Sequence, residues 1–190
     1  RFFGDPVLTT PASPVVDFDK ELRVLVKDLT DTMLDAPGAG LAAPQIGLNI
    51  RLFIVDGAPF ADEEGDDPDP KAVGIESFKK VFINPVIEEE SGELWAFQEG
   101  CLSIPRVREN VQRKSEVLIS YYDEQWNLHK EQFSGYAARI IQHEFDHIEG
   151  VLFTDHLNPL KKKLIQKKLK QIADGTISTD YKMKFYKLKR

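Results

Sequence analysis

No stretch constrains this chain more than Gln142-His143-Glu144-Phe145-Asp146-His147, because a His-Glu-x-x-His pattern carries chemistry only on a helix. Side chains four positions apart lie on one helical face, so His143 and His147 can aim both imidazoles at one metal ion. Glu144 then stands beside the ion as a proton carrier. The surroundings predict that helix: Ala137, Ala138, Ile140, Ile141, Phe145 and Ile148 supply apolar groups, and Gly150 offers a stop. The competing reading is a helix with two surface histidines and a chance glutamate. A third ligand elsewhere in the chain decides between them, since a catalytic metal site needs three protein ligands and one open position.

The remaining elements set the fold class. Residues 1–16 read as irregular, with Pro6, Pro11 and Pro14 interrupting any regular element. Asp19 through Ala36 predict an amphipathic helix, with Leu22, Leu25, Val26, Leu29 and Met33 on one stripe. Pro37-Gly38-Ala39-Gly40-Leu41-Ala42-Ala43-Pro44-Gln45-Ile46-Gly47 is a loop whose backbone must pass close to something. It lacks the Gly-Lys-Ser/Thr ending and the nucleotide-binding glycine spacing, so it is no phosphate cradle. Ile50–Asp56 reads as a strand. Gly57–Ser77, acidic and proline-containing, is expected to be a solvated loop without chemistry.

Val81–Asn84 is the next strand, ending at Pro85. Val86–Glu90 and Leu94–Phe97 are expected to continue the sheet around a Ser91-Gly92 turn. Glu116–Asp123 and Leu128–Phe133 predict a hairpin across Glu124-Gln125-Trp126-Asn127. Asn158-Pro159 starts a last helix, with Leu160, Leu164, Ile165, Leu169 and Ile172 as its apolar stripe. Most strands precede one central helix, without strand–helix alternation. The fold class is therefore α+β: mainly antiparallel sheets around a central metal-binding helix, with an N-terminal and a C-terminal helix. No repeat or second-domain boundary appears, so residues 1–190 are expected to form one domain, with 158–190 as a basic C-terminal extension.

Downstream of the helix the familiar third ligands are missing. In a His-Glu-x-x-His-x-x-Gly-x-x-His pattern Gly150 fits, but the last position is Phe153, and no Glu follows Glu149. Asp155, His156, Asp174 and Asp180 stay open as weak alternatives. Upstream, Glu99-Gly100-Cys101-Leu102-Ser103-Ile104-Pro105 offers a better donor, since a thiolate is an excellent ligand for Zn²⁺ or Fe²⁺. Cys101 is the single cysteine, so no intrachain disulfide can form, which favours a reducing compartment. By default such a cysteine is a small core residue; here it completes a Cys/His/His set with room for water.

Three stretches now coincide with one family. Gly38-Ala39-Gly40-Leu41-Ala42-Ala43-Pro44-Gln45, Glu99-Gly100-Cys101-Leu102-Ser103 and Gln142-His143-Glu144-Phe145-Asp146-His147 resemble, in order and spacing, the three signature motifs of the peptide deformylases. Gly4-Asp5-Pro6-Val7-Leu8 is similar to the family's N-terminal stretch, and Leu-Ser-Ile-Pro with the long tail resembles the bacterial type. The resemblance spans residues from about 1 to 170 and implies removal of the formyl group from N-formylmethionine at the start of new polypeptides. It implies Cys101, His143 and His147 as ligands and Glu144 as proton shuttle, with the Gln45 side chain and the Leu102 N–H holding the oxyanion. Ala39, Gly40 and Gly100 would meet the substrate backbone. Phe97, Glu99, Arg108, Tyr136, Ile140 and His143 would wall the methionine pocket, Tyr136 standing where an aliphatic residue is expected. Arg113 is expected to meet Asp146 behind the metal. Fe²⁺ is the implied native ion, with Zn²⁺, Ni²⁺ or Co²⁺ able to substitute. A general metallopeptidase and a non-catalytic ribosome-associated module are the alternatives.

Charge and hydropathy add the setting. Residues 158–190 carry ten lysines and one arginine against two aspartates, a net +9 on a chain whose total is −6, so the body carries about −15. Lys161, Lys162, Lys163, Lys167, Lys168 and Lys170 crowd one helix, and a ribosomal RNA surface near the exit tunnel is the expected partner. No apolar run approaches the roughly 20 residues of a membrane helix, and no signal peptide is visible at Arg1–Thr10. A bacterial cytoplasm is expected, with an organellar stroma or matrix in second place; neither a membrane nor DNA is an expected partner.

Overall fold

Helix α1 (Lys20–Asp35) begins where the Asp19 side chain accepts from the Leu22 N–H at 2.9 Å, satisfying a donor that has no partner inside the helix. Its stripe of Leu22, Val26, Leu29 and Met33 is buried. The burial partner is a five-stranded sheet in the order β1 (Gly40–Ala42), β2 (Leu52–Asp56), β3 (Lys79–Cys101), β4 (Ile104–Tyr122) and β5 (Leu128–Ser134). Every neighbouring pair is antiparallel. The computed structural model describes residues 1–17, 19–36, 38–61, 69–182 and 184–185.

β2 explains how two helices share one sheet. All its residues are buried, and alternate side chains point to opposite faces. Leu52 and Ile54 join α1, whereas Phe53 and Val55 join Ala138, Ile140, Ile141 and Ile148 of α3 (Gly135–Glu149). Burying each such side chain stabilises by about 1.5–3 kcal/mol, so α3 is fixed against the sheet by its apolar half. Gly150 ends α3 with φ of 73°, a left-handed conformation in which a Cβ would also lie 2.8 Å from the Thr9 backbone. A third core, with Phe2, Leu8, Ile104, Val107, Val111, Phe153 and Ile172, joins the chain start to β4 and to α4 (Pro159–Ala173).

The elements depart from expectation at the glycine-rich stretch, read as a loop but supplying β1 and a helical turn at Ala43–Ile46, and along β3 and β4. Residues 79–101 form a single strand, and Ser91-Gly92 is a bulge within it, not a turn. Opposite it, β4 begins at Ile104, well before the predicted Glu116, despite Pro105. The charged run 106–116 hid this strand, because its alternate residues Val107 and Val111 are buried while their neighbours are polar. The hairpin into β5 and the start of α4 at Asn158 are as expected.

The stretch 57–77 is also more structured than its composition implies. Short 3₁₀ turns form at Ala58–Phe60, Pro70–Ala72 and Ile75–Ser77, and Ala72 and Ile75 are buried. Averaging across the acidic centre concealed apolar flanks. Phe18, Pro37, residues 62–68, Met183 and residues 186–190, which include Lys187, Lys189 and Arg190 of the basic extension, lie outside those described.

Candidate active site

β3 and β4 meet in a tight connection, Cys101 pairing with Ile104, so that Leu102 and Ser103 form the turn. This turn brings Cys101 Sγ to 3.2 Å from His147 Nε2 on α3. Donor atoms of Cys101, His143 and His147 all lie within 4.8 Å of one another. Ligands 2.0–2.3 Å from one tetrahedral ion sit roughly 3.3–3.8 Å apart, so the three side chains fit a single ion with small adjustment. Asp155 and His156 are not part of the cluster. Asp155 accepts from the Leu152 N–H, and His156 Nε2 sits 2.7 Å from Asp146.

Electrostatics favour the thiolate and, through it, protonated imidazoles: against burial, the Cys101 sulfur raises His143 and His147 above their ordinary value, so an ion displaces those protons on binding. Burial alone would raise the Cys101 thiol, but His147 and His143 outweigh it and hold it well below its ordinary value. His143 Nδ1 lies 2.9 Å from Glu99 Oε2, which leaves Nε2 free to ligate. Glu99, expected in a pocket wall, is foremost an orienting group. Its carboxylate accepts from Arg113 Nε at 2.7 Å, Arg113 Nη2 at 3.0 Å and Arg139 Nη1 at 2.9 Å. Arg113 reaches Asp146 at 2.8 Å as predicted, tying β4 to α3. Arg139 was missed; the signal was a charge four residues before His143 on a face otherwise apolar.

Glu144 has the environment of a proton carrier. Its Oε2 is buried with no hydrogen-bond partner, and burial pushes its carboxyl up to about 7 against the pull of His143 and His147. Gly40 makes room for it: a Cβ there would lie 2.5 Å from Glu144 Oε1. Gln45, on the one-turn helix α2 (Ala43–Ile46), accepts from the Ala42 N–H at 2.8 Å through Oε1. That bond fixes the amide, leaving Nε2 toward Cys101 Sγ at 3.5 Å and Ser103 Oγ at 3.2 Å.

Gly40, Gln45, Cys101, His143 and Glu144 line an open cavity of about 490 Å³, as do Ala39, Phe97, Gly100, Leu102, Arg108 and Ile140. Tyr136 does not line it. It stands one layer back, 5.4 Å from Phe97 and 5.3 Å from Phe60 between ring centroids, with its hydroxyl on Asp69. Phe60, from the stretch expected to be inert, takes the wall position.

A soft donor set open on one side, beside a carboxylate with a free oxygen, suits a one-metal hydrolase. Comparison with known proteins narrows that class. The chain belongs to the polypeptide deformylase family, whose profile matches residues 2–163. It is 53% identical to the peptide deformylase of Christiangramia forsetii, covering 99% of this chain and 95% of the relative. For that of Flavobacterium johnsoniae the identity is 49%, with the same coverage. A peptide deformylase from Synechococcus elongatus in complex with actinonin superposes with a TM-score of 0.73 at 40% identity, covering 88% of this chain and 84% of that one. For a peptide deformylase from Plasmodium falciparum the values are 0.79, 33%, 94% and 98%. Membership makes the chain a metal-dependent hydrolase of formylmethionyl peptides.

Proposed function

We propose that the chain cleaves the formyl C–N bond of N-formylmethionyl peptides with Cys101, His143 and His147 holding the ion and Glu144 moving the proton. The observation that carries this division of labour is the buried, unpartnered Oε2 of Glu144 beside the three donors. When bound, the ion supplies Lewis-acid chemistry and lowers the pKa of water. Glu144 takes a proton from the attacking water and returns it to the leaving amine, releasing formate and a free N-terminus. Gln45 Nε2 and the Leu102 N–H donate to the oxygen of the former formyl carbonyl as charge develops there. Phe97 and Ile140 wall the methionine side chain, with Phe60 in front of Tyr136 and Arg108 at the rim. Ala39, Gly40 and Gly100 present backbone to the peptide.

We assign Fe²⁺ as the native ion, with Zn²⁺, Ni²⁺ or Co²⁺ as substitutes; a Cys/His/His set suits all of them. Anaerobic purification followed by metal analysis and formate release from formyl-Met peptides tests the assignment together with the activity. No formate from the metal-loaded chain would overturn the reading. Cys101→Ser is expected to lose most of its metal, because a hydroxyl ligates poorly without ionising. Wild-type metal content in that variant would place the third ligand elsewhere.

The working location proposed is the bacterial cytoplasm, at the ribosome. Among the described residues no helix is long and apolar enough to cross a membrane. On α4, Lys162, Lys163, Lys167 and Lys170 are exposed beside Leu160 and Leu164. Lys161 and Lys168 are instead engaged with the body, on Glu109 and the Arg106 carbonyl. Replacing Lys162, Lys163, Lys167 and Lys170 with glutamine is expected to abolish salt-sensitive co-sedimentation with ribosomes while free formyl-peptides are still hydrolysed. Unchanged co-sedimentation at low salt would refute docking.

A further inference from the structure

Beyond α4 the chain turns back over the site. Arg106 Nη2 donates to Ser178 Oγ at 3.2 Å, Lys168 Nζ to the Arg106 carbonyl, and Lys161 Nζ to the Asn110 carbonyl at 3.1 Å. Thr179, Asp180 and Tyr181 line the same cavity as Cys101 and Glu144. Ile177 and Tyr181 pack on the third core, where the Tyr181 ring stacks on Phe2 at 6.3 Å between centroids. The Tyr181 hydroxyl donates to the Leu102 carbonyl at 2.8 Å. The family profile ends at residue 163, so Ile177, Ser178, Thr179, Asp180 and Tyr181 lie beyond it.

The Leu102 carbonyl belongs to the peptide unit joining Leu102 and Ser103. The N–H of that unit, on Ser103, points at Cys101 Sγ at 3.4 Å. One peptide plane is thus held at both ends, by a phenol on one side and a sulfur on the other. On its far side, the Ser103 carbonyl accepts from the Phe3 N–H at 3.0 Å, and Ser103 Oγ accepts from Gln45. A carbonyl that accepts a hydrogen bond becomes more polarised, and the N–H conjugated with it a better donor. With that plane held, the Leu102 N–H, which belongs to the preceding peptide unit of a residue lining the cavity, can turn only about the two backbone bonds of Leu102.

From this geometry we infer that Tyr181 is a positioning residue for deformylation, orienting the Leu102–Ser103 turn through the Leu102 carbonyl, and that the segment carrying it is a fixed wall of the substrate cleft. The inference rests on the assignment of Leu102 as an oxyanion donor. A donor held only by the turn itself samples several directions, and small misplacements of catalytic groups are expensive in rate. An interaction made chiefly in the transition state, when lost, lowers kcat and leaves KM nearly unchanged.

The test is Tyr181→Phe in the full, metal-loaded chain, because it removes one oxygen and keeps the ring that stacks on Phe2. With formyl-Met peptides, kcat is expected to fall about tenfold, a loss within what one oxyanion donor is worth, while KM stays within about twofold. In the same variant the Leu102 and Ser103 amide protons are expected to exchange faster with solvent, with the melting temperature and metal content kept. Equal kcat and unchanged exchange would overturn the positioning role. Lower kcat together with lost metal or a lowered melting temperature would also overturn it, by showing a merely structural part. Faster exchange of both amides with unchanged kcat would overturn the Leu102 assignment, and the positioning role with it. A wild-type chain that releases no formate would overturn both inferences and the deformylase reading.

Discussion

Glu144→Gln is expected to bind its metal normally and to lose turnover by about 10²–10⁴-fold, the range spanned by positioned general acid–base groups. The substitution keeps shape, which matters because Gly40 leaves no spare room beside the side chain: an added Cβ would already sit 2.5 Å from Oε1. The ligands are separate residues, Cys101, His143 and His147. Retained metal with lost activity therefore separates proton transfer from ligation. Stability of the metal-free variant is not expected to fall at or above neutral pH, since burial already penalises the ionised carboxyl and Oε2 has no partner to lose. Formate release at saturating substrate, with metal analysis of the same sample, checks the result. A variant that deformylates at the normal rate would sink the proposed role of Glu144.

Glu99→Ala is expected to give the largest loss of stability, about 3–5 kcal/mol, the cost of leaving buried charges uncompensated. Glu99, Arg113 and Arg139 are all buried, and the carboxylate holds both guanidinium groups. Its removal leaves Arg139 with carbonyls as its remaining partners, at Val111 and Trp95, while Arg113 keeps Asp146. His143 loses its Nδ1 partner in the same step. Metal affinity should then fall by about 10–100-fold, as is usual when the group orienting a ligating histidine is removed. Urea denaturation of the metal-free chain reads the first effect and competition with a chelator the second. Unchanged stability would mean that the two arginines find other partners or water.

Much of this was legible from residues alone. The ligand helix was readable because its apolar spacing, its two histidines and its terminal glycine agree with one another. The pairing of Arg113 with Asp146 was reachable only through family resemblance, since the two lie on different elements with no local signal between them. Three kinds of information were not readable. The long β3–β4 ribbon was masked by charges on its exposed face and by the bulge at Gly92. Phe60 was discounted with the acidic residues that follow it, although its own neighbours are apolar. The tail contact of Tyr181 joins residues 79 positions apart through one hydroxyl and a carbonyl, which no periodicity records.

The meeting of Phe2 with Tyr181 and Phe185 has a kinetic consequence. Contacts between residues so far apart in sequence close slowly, because the intervening chain must give up its freedom before they form. The sheet and α3 draw on nearer neighbours and can assemble while the tail is still being synthesised. The turn bearing Cys101 and Leu102 is clamped from one side by residues at the very start of the chain and from the other by residues beyond α4. An emerging polypeptide can thus hold its ligand helix ready well before that clamp closes. The Tyr181 side of the clamp can close only after residue 181 has left the ribosome.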